Sequence, residues 1–204
     1  MKAYIYCTKA KPYLHNLNGT VVASFDLNII EEIFSEKIDV GVGYEPLFYT
    51  ERIDDIAKGS CLTQFEIENY LGCKKGGEVV GYAWHINNLE IFDKPVELSD
   101  FYTKVTDKDR LNCFKGLNTI IPSVRISKFT SEVAHCKKLE KAPQSWQQII
   151  FLNKETNEYE YAILISIKPK WVCKILNGEK TIEVRKTYPK EIDFERERLQ
   201  VIEK

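Results

Sequence analysis

The residues of greatest chemical interest in this chain follow a glycine turn late in the sequence. After Gly178 come four polar residues of different kinds: Lys180, Thr181, Glu183 and Arg185. On a β-strand, alternate side chains point to the same face, so Thr181, Glu183 and Arg185 would line one side of a strand. A lysine beside a carboxylate can move a proton, and the same groups can hold a phosphate or a base edge. The alternative is a solvated face, on which a Glu–Arg pair stabilises the fold by under about 1 kcal/mol.

Positive charge accumulates around these residues. Between residues 168 and 190, only Glu179 and Glu183 offset a run of basic side chains. Such a cluster can face the phosphates of a nucleic acid, although charged runs also occur as solvated surface. The sequence therefore predicts a candidate phosphate-binding patch, with a solvated surface as the alternative. Its members are Lys168, Lys170, Lys174, Lys180, Arg185, Lys186 and Lys190.

A second group of candidate residues lies in the segment GYAWH. Tyr82 and Trp84 are two positions apart, so on a strand they share a face, whereas His85 points to the other face. An exposed aromatic ring beside Lys and Arg can stack on an unpaired base, as in many proteins that bind single-stranded RNA. The alternative for aromatic residues is packing in the core, and it applies equally to Trp146 and Trp171.

Metal binding and disulfide bonding have little support in the sequence. The six cysteines are scattered and include no CxxC pair, so we expect reduced thiols. Cys113, His135 and Cys136 would supply only three ligands at an unfavourable spacing, fewer than a structural zinc site needs. We therefore expect neither a metal nor another cofactor.

The composition is that of an ordinary globular protein with no general affinity for polyanions. Lys and Arg number 29 and Asp and Glu number 30, so nucleic-acid binding would need a local basic patch. The opening segment MKAYIYCTKAK has too short an apolar run for a secretory signal. No apolar stretch reaches the roughly 18 residues of a membrane span. We therefore expect a cytoplasmic protein without a membrane partner.

Residues 162–186, which carry the polar group, predict a strand, a helix, a glycine turn and a second strand. Pro169 suits the first position of the helix, and Gly178 suits the position just past its end. The segment 181–186 alternates as a half-buried strand. Before it, residues 147–167 predict two strands about a polar turn.

Strand patterns also dominate the first half of the chain. Ala3–Thr8 predicts a first strand, and residues 20–30 predict a second. Residues 79–92 predict one long or bent strand, with a bulge or turn at Asn87-Asn88. Residues 31–57 show no clear period, so a long loop or short helical pieces are expected there.

One helix has a clear start signal. Thr63 and Glu66 form a capping box, and the apolar face that follows includes Phe65 and Tyr70. Residues 102–140 have mixed charge and turn residues, so we expect a variable insertion outside the core. The mixture of strands and short helices predicts the α+β class in a single domain over residues 1–204.

Several of these segments resemble one known family. The stretch SIKPKWVCKILNGEKTIEVRK is similar to the opening of ASCH domains, a PUA-like β-barrel family in which a strand and a helix lead to a GxKxxExR signature. Here the signature is Gly178, Lys180, Glu183 and Arg185. The stretches GSCLTQFEIENYLG, GYAWHINNLEIFDKPVELSDF and PQSW resemble the later part of the domain in phage and prophage proteins. The resemblance implies a PUA-like β-barrel with flanking short helices.

The order of the matching segments differs from that of the family. In ASCH domains the signature segment comes first and runs into a YIYCTK-like strand, whereas here YIYCTK occupies residues 4–9. The resemblance therefore implies circular permutation, with residues 162–190 as the displaced strand–helix–strand and residues 191–204 as an extra tail. This arrangement predicts that Thr181–Arg185 and Tyr4–Thr8 lie in one barrel.

The resemblance also implies a function, the binding of single-stranded RNA or a modified nucleotide in a cleft lined by the signature. Lys180 and Arg185 would meet phosphate or base edges, and Glu183 would accept from a base amine. The implied ligand-binding residues are Lys168, Lys180, Thr181, Glu183, Arg185, Trp84 and Tyr82.

Two other functions stay open. The family includes small amidohydrolases that act on N4-acetylcytidine with a Lys, a Thr and a Glu. Lys180 matches that lysine, but Glu183 stands where the threonine nucleophile belongs, so recognition is expected more than turnover. If the protein is an enzyme, Lys180 and Glu183 would be its catalytic residues. The other possibility is a phage-derived module for protein interaction.

Overall fold

Strands make up most of the structure and are arranged in two sheets. The computed structural model describes residues 1–9, 16–39, 44–48, 52–72, 78–105, 123–126, 132–153, 157–189 and 200–202. The mixture of strands and helices in these residues confirms the α+β class. None of the helices described is long and apolar enough to cross a membrane.

The elements are numbered in chain order. The strands are β1 Lys2–Cys7, β2 Val21–Asp26, β3 Ile29–Asp39, β4 Tyr44–Phe48, β5 Glu78–His85, β6 Asn87–Val96, β7 Tyr102–Lys104, β8 Ser123–Ile126, β9 Glu132–Lys138, β10 Trp146–Asn153, β11 Glu158–Ile167, β12 Ile182–Arg185 and β13 Gln200–Ile202. The helices are α1 Ile53–Ser60, α2 Gln64–Leu71 and α3 Pro169–Leu176, with a 3-10 turn at Leu98–Asp100.

The chain divides into two compact units made of interleaved segments. The first unit comprises Met1, Phe25–Leu89 and Cys173–Lys204, and the second comprises Lys2–Ser24 and Glu90–Val172. Because each unit takes segments from distant parts of the chain, neither corresponds to one continuous stretch of sequence.

The first unit is built on a five-stranded sheet with the order β12-β5-β3-β13, in which β4 also pairs with β3. Strand β5 is central and antiparallel to both neighbours, so Trp84 lies between Glu183 of β12 and Ile30 of β3. Helices α1 and α2 bury Ile56 and Ile67 in one apolar cluster with the side chains of this sheet. These two helices therefore cover one face of the strands that carry the signature.

The start of α2 forms as the sequence predicts. The Thr63 hydroxyl accepts a hydrogen bond from the Glu66 N–H at 3.2 Å, and the Glu66 carboxylate accepts one from the Thr63 N–H at 2.8 Å. The predicted apolar face is only partly correct. Ile67 and Leu71 are buried, but Phe65 is 70% exposed. The helix is therefore buried through Ile67 and Leu71, which are four positions apart and lie on the same face.

The second unit holds most of the eight-stranded sheet, whose order is β10-β7-β9-β8-β11-β1-β2-β6. Strands β10 and β11 form the antiparallel pair that the sequence predicts, and β1 pairs in parallel with β11. Ile149, Ala162 and Leu164 of this pair are fully buried in one cluster with Phe101. An apolar core thus lies on one face of the β10–β11 pair.

Neither sheet closes into a barrel in the part of the chain that the structure describes. Strand β10 pairs with β7 as well as with β11, so a ring of pairings runs through β10, β7, β9, β8 and β11. Two of these pairings consist of a single registered residue pair each: Ile150–Tyr102 joins β10 to β7, and Tyr159–Ile126 joins β11 to β8. Strand β12 lies in the five-stranded sheet, whereas β1 lies in the eight-stranded one. The expectation that these two strands share one barrel is therefore not confirmed, and the permuted PUA-like fold stays a prediction.

One strand prediction requires correction. Residues 20–30, expected as one strand, are divided between β2 and β3, and between them the Leu27 N–H donates to the Met1 carbonyl at 2.8 Å. Residues 79–92, expected as one long or bent strand, are divided between β5 and β6 at Ile86, and Asn88, at the predicted bulge or turn, has a positive φ of 48°.

The expectation of a loop or short helical pieces over residues 31–57 is wrong for residues 31–39 and 44–48, which form most of β3 and all of β4, whereas α1 begins at Ile53 as one of the expected short helical pieces. The alternation of β3 is interrupted at Glu31, a charged residue in a buried position. The described parts of residues 102–140 form β7, β8 and β9 and pair within the eight-stranded sheet. Of the tail 191–204, only β13 is described, and it is parallel to β3.

Candidate functional site

Helix α3 and the turn after it lead into the signature strand. Pro169 opens α3, and Gly178 follows it with φ 75°, as the sequence predicts. The Thr181 N–H donates to the Gly59 carbonyl at 2.8 Å, and the Thr181 carbonyl accepts from the Ile86 N–H at 2.9 Å. The turn is therefore held from both sides, which fixes the register in which β12 begins.

Lys180 is a buried lysine, with only 3% of its side chain exposed. Its Nζ donates to the Ser60 carbonyl at 2.8 Å and lies 3.2 Å from Glu183 Oε2. Burial lowers the pKa of Lys180 below its ordinary value, and Arg185 lowers it slightly further, whereas the Glu183 carboxylate raises it. Burial is the largest of these causes, so the neutral amine of Lys180 is more accessible than that of a surface lysine.

Glu183 is shared by two cations. Its Oε2 lies 3.2 Å from Lys180 Nζ, and its Oε1 lies 3.0 Å from Arg185 Nη2. The side chains of Glu183 and Arg185 are only 12% and 9% exposed. A solvated ion pair, the alternative raised from the sequence, is therefore wrong. Because little water surrounds these charges, removing one of them would leave another buried without its partner.

The two predicted aromatic residues lie on the same face as Glu183 and Arg185. In the β5–β12 register, Trp84 is opposite Glu183 and Tyr82 is opposite Arg185. Trp84 is fully buried, so it packs in the core and presents no exposed ring on which a base could stack. Tyr82 is half-buried, and its ring centroid lies 4.4 Å from that of Tyr188. Of these two aromatic residues, only Tyr82 is partly exposed.

Three further residues, Tyr70, Tyr188 and Lys186, extend this group. The sequence placed Lys186 in the basic patch but indicated neither tyrosine. Tyr70 of α2, expected on an apolar helix face, is 43% exposed. The Lys186 Nζ lies 5.3 Å from the centroid of the Tyr70 ring. Burial raises the pKa of Tyr70, with smaller opposing effects from Arg185, which lowers it, and Glu183, which raises it. Tyr70 is therefore within electrostatic reach of the buried ions. We call the following residues the signature cluster: Lys180, Glu183, Arg185, Lys186, Tyr70, Tyr82 and Tyr188.

The remaining predicted residues lie outside the signature cluster. Thr181 is exposed at the start of the strand. Lys168 belongs to the second unit, where its side chain is exposed and its carbonyl accepts from the Trp171 and Val172 N–H groups at the start of α3. Lys190 lies outside the described residues.

A second buried carboxylate lies on the opposite face of the same sheet. Glu31 Oε1 lies 3.0 Å from Arg52 Nη1 and 3.0 Å from His85 Nε2. Glu31 is opposite Ala83 in the register, whereas Glu183 is opposite Trp84, so the two carboxylates point away from each other. The sequence placed His85 correctly on the face opposite Trp84. The sequence did not indicate that Glu31 is buried, because strand alternation assigns a side chain to a face of the sheet but does not identify the residues it contacts.

The described cysteines Cys7, Cys61, Cys136 and Cys173 form no disulfide bond with one another. Cys113, one of the three metal ligands considered from the sequence, lies outside the described residues. Within the described residues, no group of three or more His, Cys, Asp or Glu side chains is placed to hold a metal ion.

Comparison with known proteins identifies no family for this chain. A scan against protein-family models, a search of curated proteins and a search of solved structures each found no match. The ASCH resemblance therefore stays a prediction from the sequence, and a functional argument depends on the contacts described above.

Proposed function

We propose that the protein binds single-stranded RNA or a modified nucleotide through the signature cluster, within a permuted PUA-like fold of the ASCH type. The observation that carries the proposal is the sharing of Glu183 by Lys180 and Arg185, with Tyr82 opposite Arg185 on the same face. Cationic donors, an anionic acceptor and an aromatic ring thus converge on one short strand pair.

Each member of the cluster has a role that suits this ligand. The planar guanidinium of Arg185 can meet a phosphate or a base edge with two parallel hydrogen bonds. Glu183 can accept from an exocyclic base amine, and Tyr82 or Tyr70 can stack on the base. Because Lys180 and Arg185 are nearly buried, a ligand group that reaches them must lose its water. Recognition of one base with its phosphate is therefore favoured over sliding along a backbone.

The test is titration of a fluorescein-labelled ten-nucleotide uridine RNA at two salt concentrations, followed by fluorescence polarisation. In wild-type protein we expect binding that weakens with salt. Lys186→Ala removes an exposed cation and should reduce the salt slope by about 0.7 if it contacts one phosphate. Arg185→Met should weaken binding by at least about tenfold, since charge-assisted hydrogen bonds are lost.

Lys174→Ala is the matched control, because Lys174 belongs to the same basic run but pairs with Glu179 on the surface. Thermal melting of each variant checks that it is folded. Lys186→Ala keeps the test decisive if Arg185→Met fails to fold. Absence of binding, or binding that responds neither to salt nor to Lys186→Ala, would refute the proposal.

One observation favours an amidohydrolase as a second candidate function. Burial lowers the pKa of Lys180, and its Nζ lies 3.2 Å from the Glu183 carboxylate. A lysine acts as a general base only when its neutral amine is accessible. In the proposed reaction, water adds to the acetyl carbonyl of N4-acetylcytidine, the C–N bond breaks, and acetate and cytidine leave.

Chromatography of N4-acetylcytidine incubated with the protein tests this candidate. Cytidine should form faster as the pH rises toward the ordinary lysine pKa of 10.5, because more Lys180 is then neutral. Lys180→Met should abolish turnover, whereas Lys174→Met should preserve it. If no more cytidine forms than in the uncatalysed background, the proposal of an amidohydrolase is refuted.

A further inference from the structure

Strand β6 lies at one edge of the eight-stranded sheet. It comes last in the order of the described strands, next to β2, and the Ser24 hydroxyl of β2 donates to Glu90 Oε2 at 3.2 Å. Along β6, Glu90, Ile91, Asp93 and Lys94 are exposed and Phe92 is half-buried, whereas all but the last residue of β2 are buried. We call residues Glu90–Lys94 the β6 edge. Its side chains therefore face solvent along most of its length.

The side chains of the β6 edge alternate between a packed face and an exposed one. The ring centroid of Phe92 lies 6.2 Å from that of Tyr4, and Phe92 packs against a buried apolar cluster. Ile91 points to the opposite face and is 52% exposed. The backbone N–H and C=O groups of an edge strand are a template for pairing with another chain. A strand added at this edge would bond to that backbone and cover Ile91.

Two backbone features limit the length of such a pairing. Asn88 has a left-handed φ of 48°, which interrupts the extended backbone before the β6 edge. Pro95 follows the edge and has no N–H to donate, which is why proline in a sheet is found mainly on edge strands. A regular ladder therefore fits between these two residues.

The charges of the β6 edge are self-complementary about Phe92. In an antiparallel pair of identical strands related by a twofold axis, partners keep the same face only if one residue lies opposite itself. With Phe92 at the axis, Glu90 lies opposite Lys94 of the second copy, and this pair occurs twice. With Ile91 at the axis, Glu90 would instead lie opposite Phe92. The charges therefore favour the register centred on Phe92.

We propose that the β6 edge pairs antiparallel with the β6 edge of a second copy of this chain, with Phe92 at the twofold axis. The eight-stranded sheet then continues across the axis. The two Ile91 side chains become diagonal neighbours on the outer face, within reach of each other. Glu90 lies 3.6 Å from Lys2 Nζ, yet its side chain is 64% exposed, so its carboxylate has room for a second lysine. An unrelated peptide would gain the backbone bonds but would not explain this symmetric placement of charge.

Sedimentation equilibrium of the full chain measures this association directly. Over protein concentrations from about 1 to 500 µM we expect a monomer–dimer equilibrium, because a short ladder buries less area than a standard interface. Lys94→Glu should raise the dimer dissociation constant by about tenfold, since the axis repeats the new repulsion in two cross-strand pairs. The matched control is Lys138→Glu, which makes the same charge change at an exposed lysine of β9.

Mixing two charge variants tests both the partner and the register. Glu90→Lys alone should also weaken association, because two ammonium groups then face each other in each pair. When Glu90→Lys carrying an affinity tag is mixed with untagged Lys94→Glu, every cross-strand pair again joins a carboxylate to an ammonium group. The mixture should therefore form a heterodimer with a dissociation constant at least about fivefold lower than either variant alone. Native mass spectrometry distinguishes the heterodimer by the mass of the tag.

The apolar contact is tested separately. Ile91→Asp removes it and places a second carboxylate opposite Asp93 of the other copy, so the dissociation constant should rise by about tenfold. Leu152→Asp is the matched control, since Leu152 is 38% exposed on β10, away from the β6 edge. Circular dichroism checks that each variant is folded, and the mixing experiment keeps the test decisive if Ile91→Asp is not.

Three results would overturn the proposal. A chain that stays monomeric at the highest concentration would leave an extended peptide of another protein as the occupant to test. A dimer unaffected by both Lys94→Glu and Ile91→Asp would be held by another surface. Folded charge variants that fail to associate on mixing would exclude the register centred on Phe92. RNA is absent from these measurements, so their outcome is independent of the proposed function.

Discussion

Replacement of Glu183 by Gln tests the buried ions of the signature cluster most directly. The amide keeps the shape of the side chain but removes the charge that Lys180 and Arg185 share at 3.2 and 3.0 Å. The side chains of these two cations are only 3% and 9% exposed, so water cannot replace the lost carboxylate. Removing one partner from a buried ion pair costs about 3–5 kcal/mol. We expect a loss of this size in the free energy of unfolding, measured with urea at neutral pH.

Glu179→Gln provides the matched control four positions earlier. Glu179 Oε2 lies 3.7 Å from Lys174 Nζ, and both side chains are largely exposed, at 54% and 41%. A solvated pair of this kind contributes under about 1 kcal/mol. If Glu183→Gln proved no more destabilising than Glu179→Gln, the buried cluster would not have the energetic role derived from its burial.

The pH dependence of the Glu183→Gln effect gives an independent check. Burial lowers the folded-state pKa of Lys180 below its ordinary value of 10.5, so the unfolded chain binds more protons between these two values. Stability therefore rises with pH in that interval. Glu183 raises this pKa, so its removal widens the interval. The cost of the variant should be largest near neutral pH and decrease as the pH approaches 10.5, and adding Lys180→Met should recover part of it.

Three further changes test other parts of the structure. Thr63→Ala removes the N-cap of α2 and should cost about 1 kcal/mol in urea unfolding, whereas Thr63→Ser should not. A Cβ at Gly81 would lie 2.5 Å from Leu71 Cδ2 and 3.0 Å from the Arg185 carbonyl oxygen, so Gly81→Ala should lower the melting temperature. Burial, followed by Glu160 and Glu90, raises the pKa of Tyr4. Stability should therefore fall as the pH rises above 10.0, and Tyr4→Phe should reduce that fall in melting curves.

The elements that the sequence predicted correctly are those defined by a few neighbouring residues. The capping box at Thr63 and the Pro169 and Gly178 limits of α3 each depend on backbone geometry within one turn of helix. The β10–β11 pair likewise follows from two strand patterns separated by a short polar turn. Because such signals depend only on neighbouring residues, the structure that they predict is the one that forms in the folded chain.

The parts that could not be predicted depend on residues far apart in the sequence. Glu31 looks like a surface residue in the sequence, and only the fold brings Arg52 and His85 within 3.0 Å of its buried carboxylate. Likewise, alternation placed Trp84 on the same face as Tyr82 but could not show that the Trp84 side chain is fully buried. Periodicity assigns each side chain to a face, whereas tertiary packing decides which face is exposed.

The two candidate functions of the signature cluster require opposite protonation states of Lys180. Phosphate binding uses the ammonium form, so RNA affinity should fall as the pH rises and Lys180 becomes neutral. Amide hydrolysis uses the free amine as a base, so turnover should rise over the same range. Burial lowers the pKa of Lys180 and thus brings this change closer to neutral pH than for a surface lysine. Measurement of RNA affinity and cytidine release against pH, with Lys180→Met as the reference, therefore separates recognition from catalysis. RNA affinity and cytidine release that both stay constant across this range, with no difference between wild type and Lys180→Met, would show that Lys180 serves neither function.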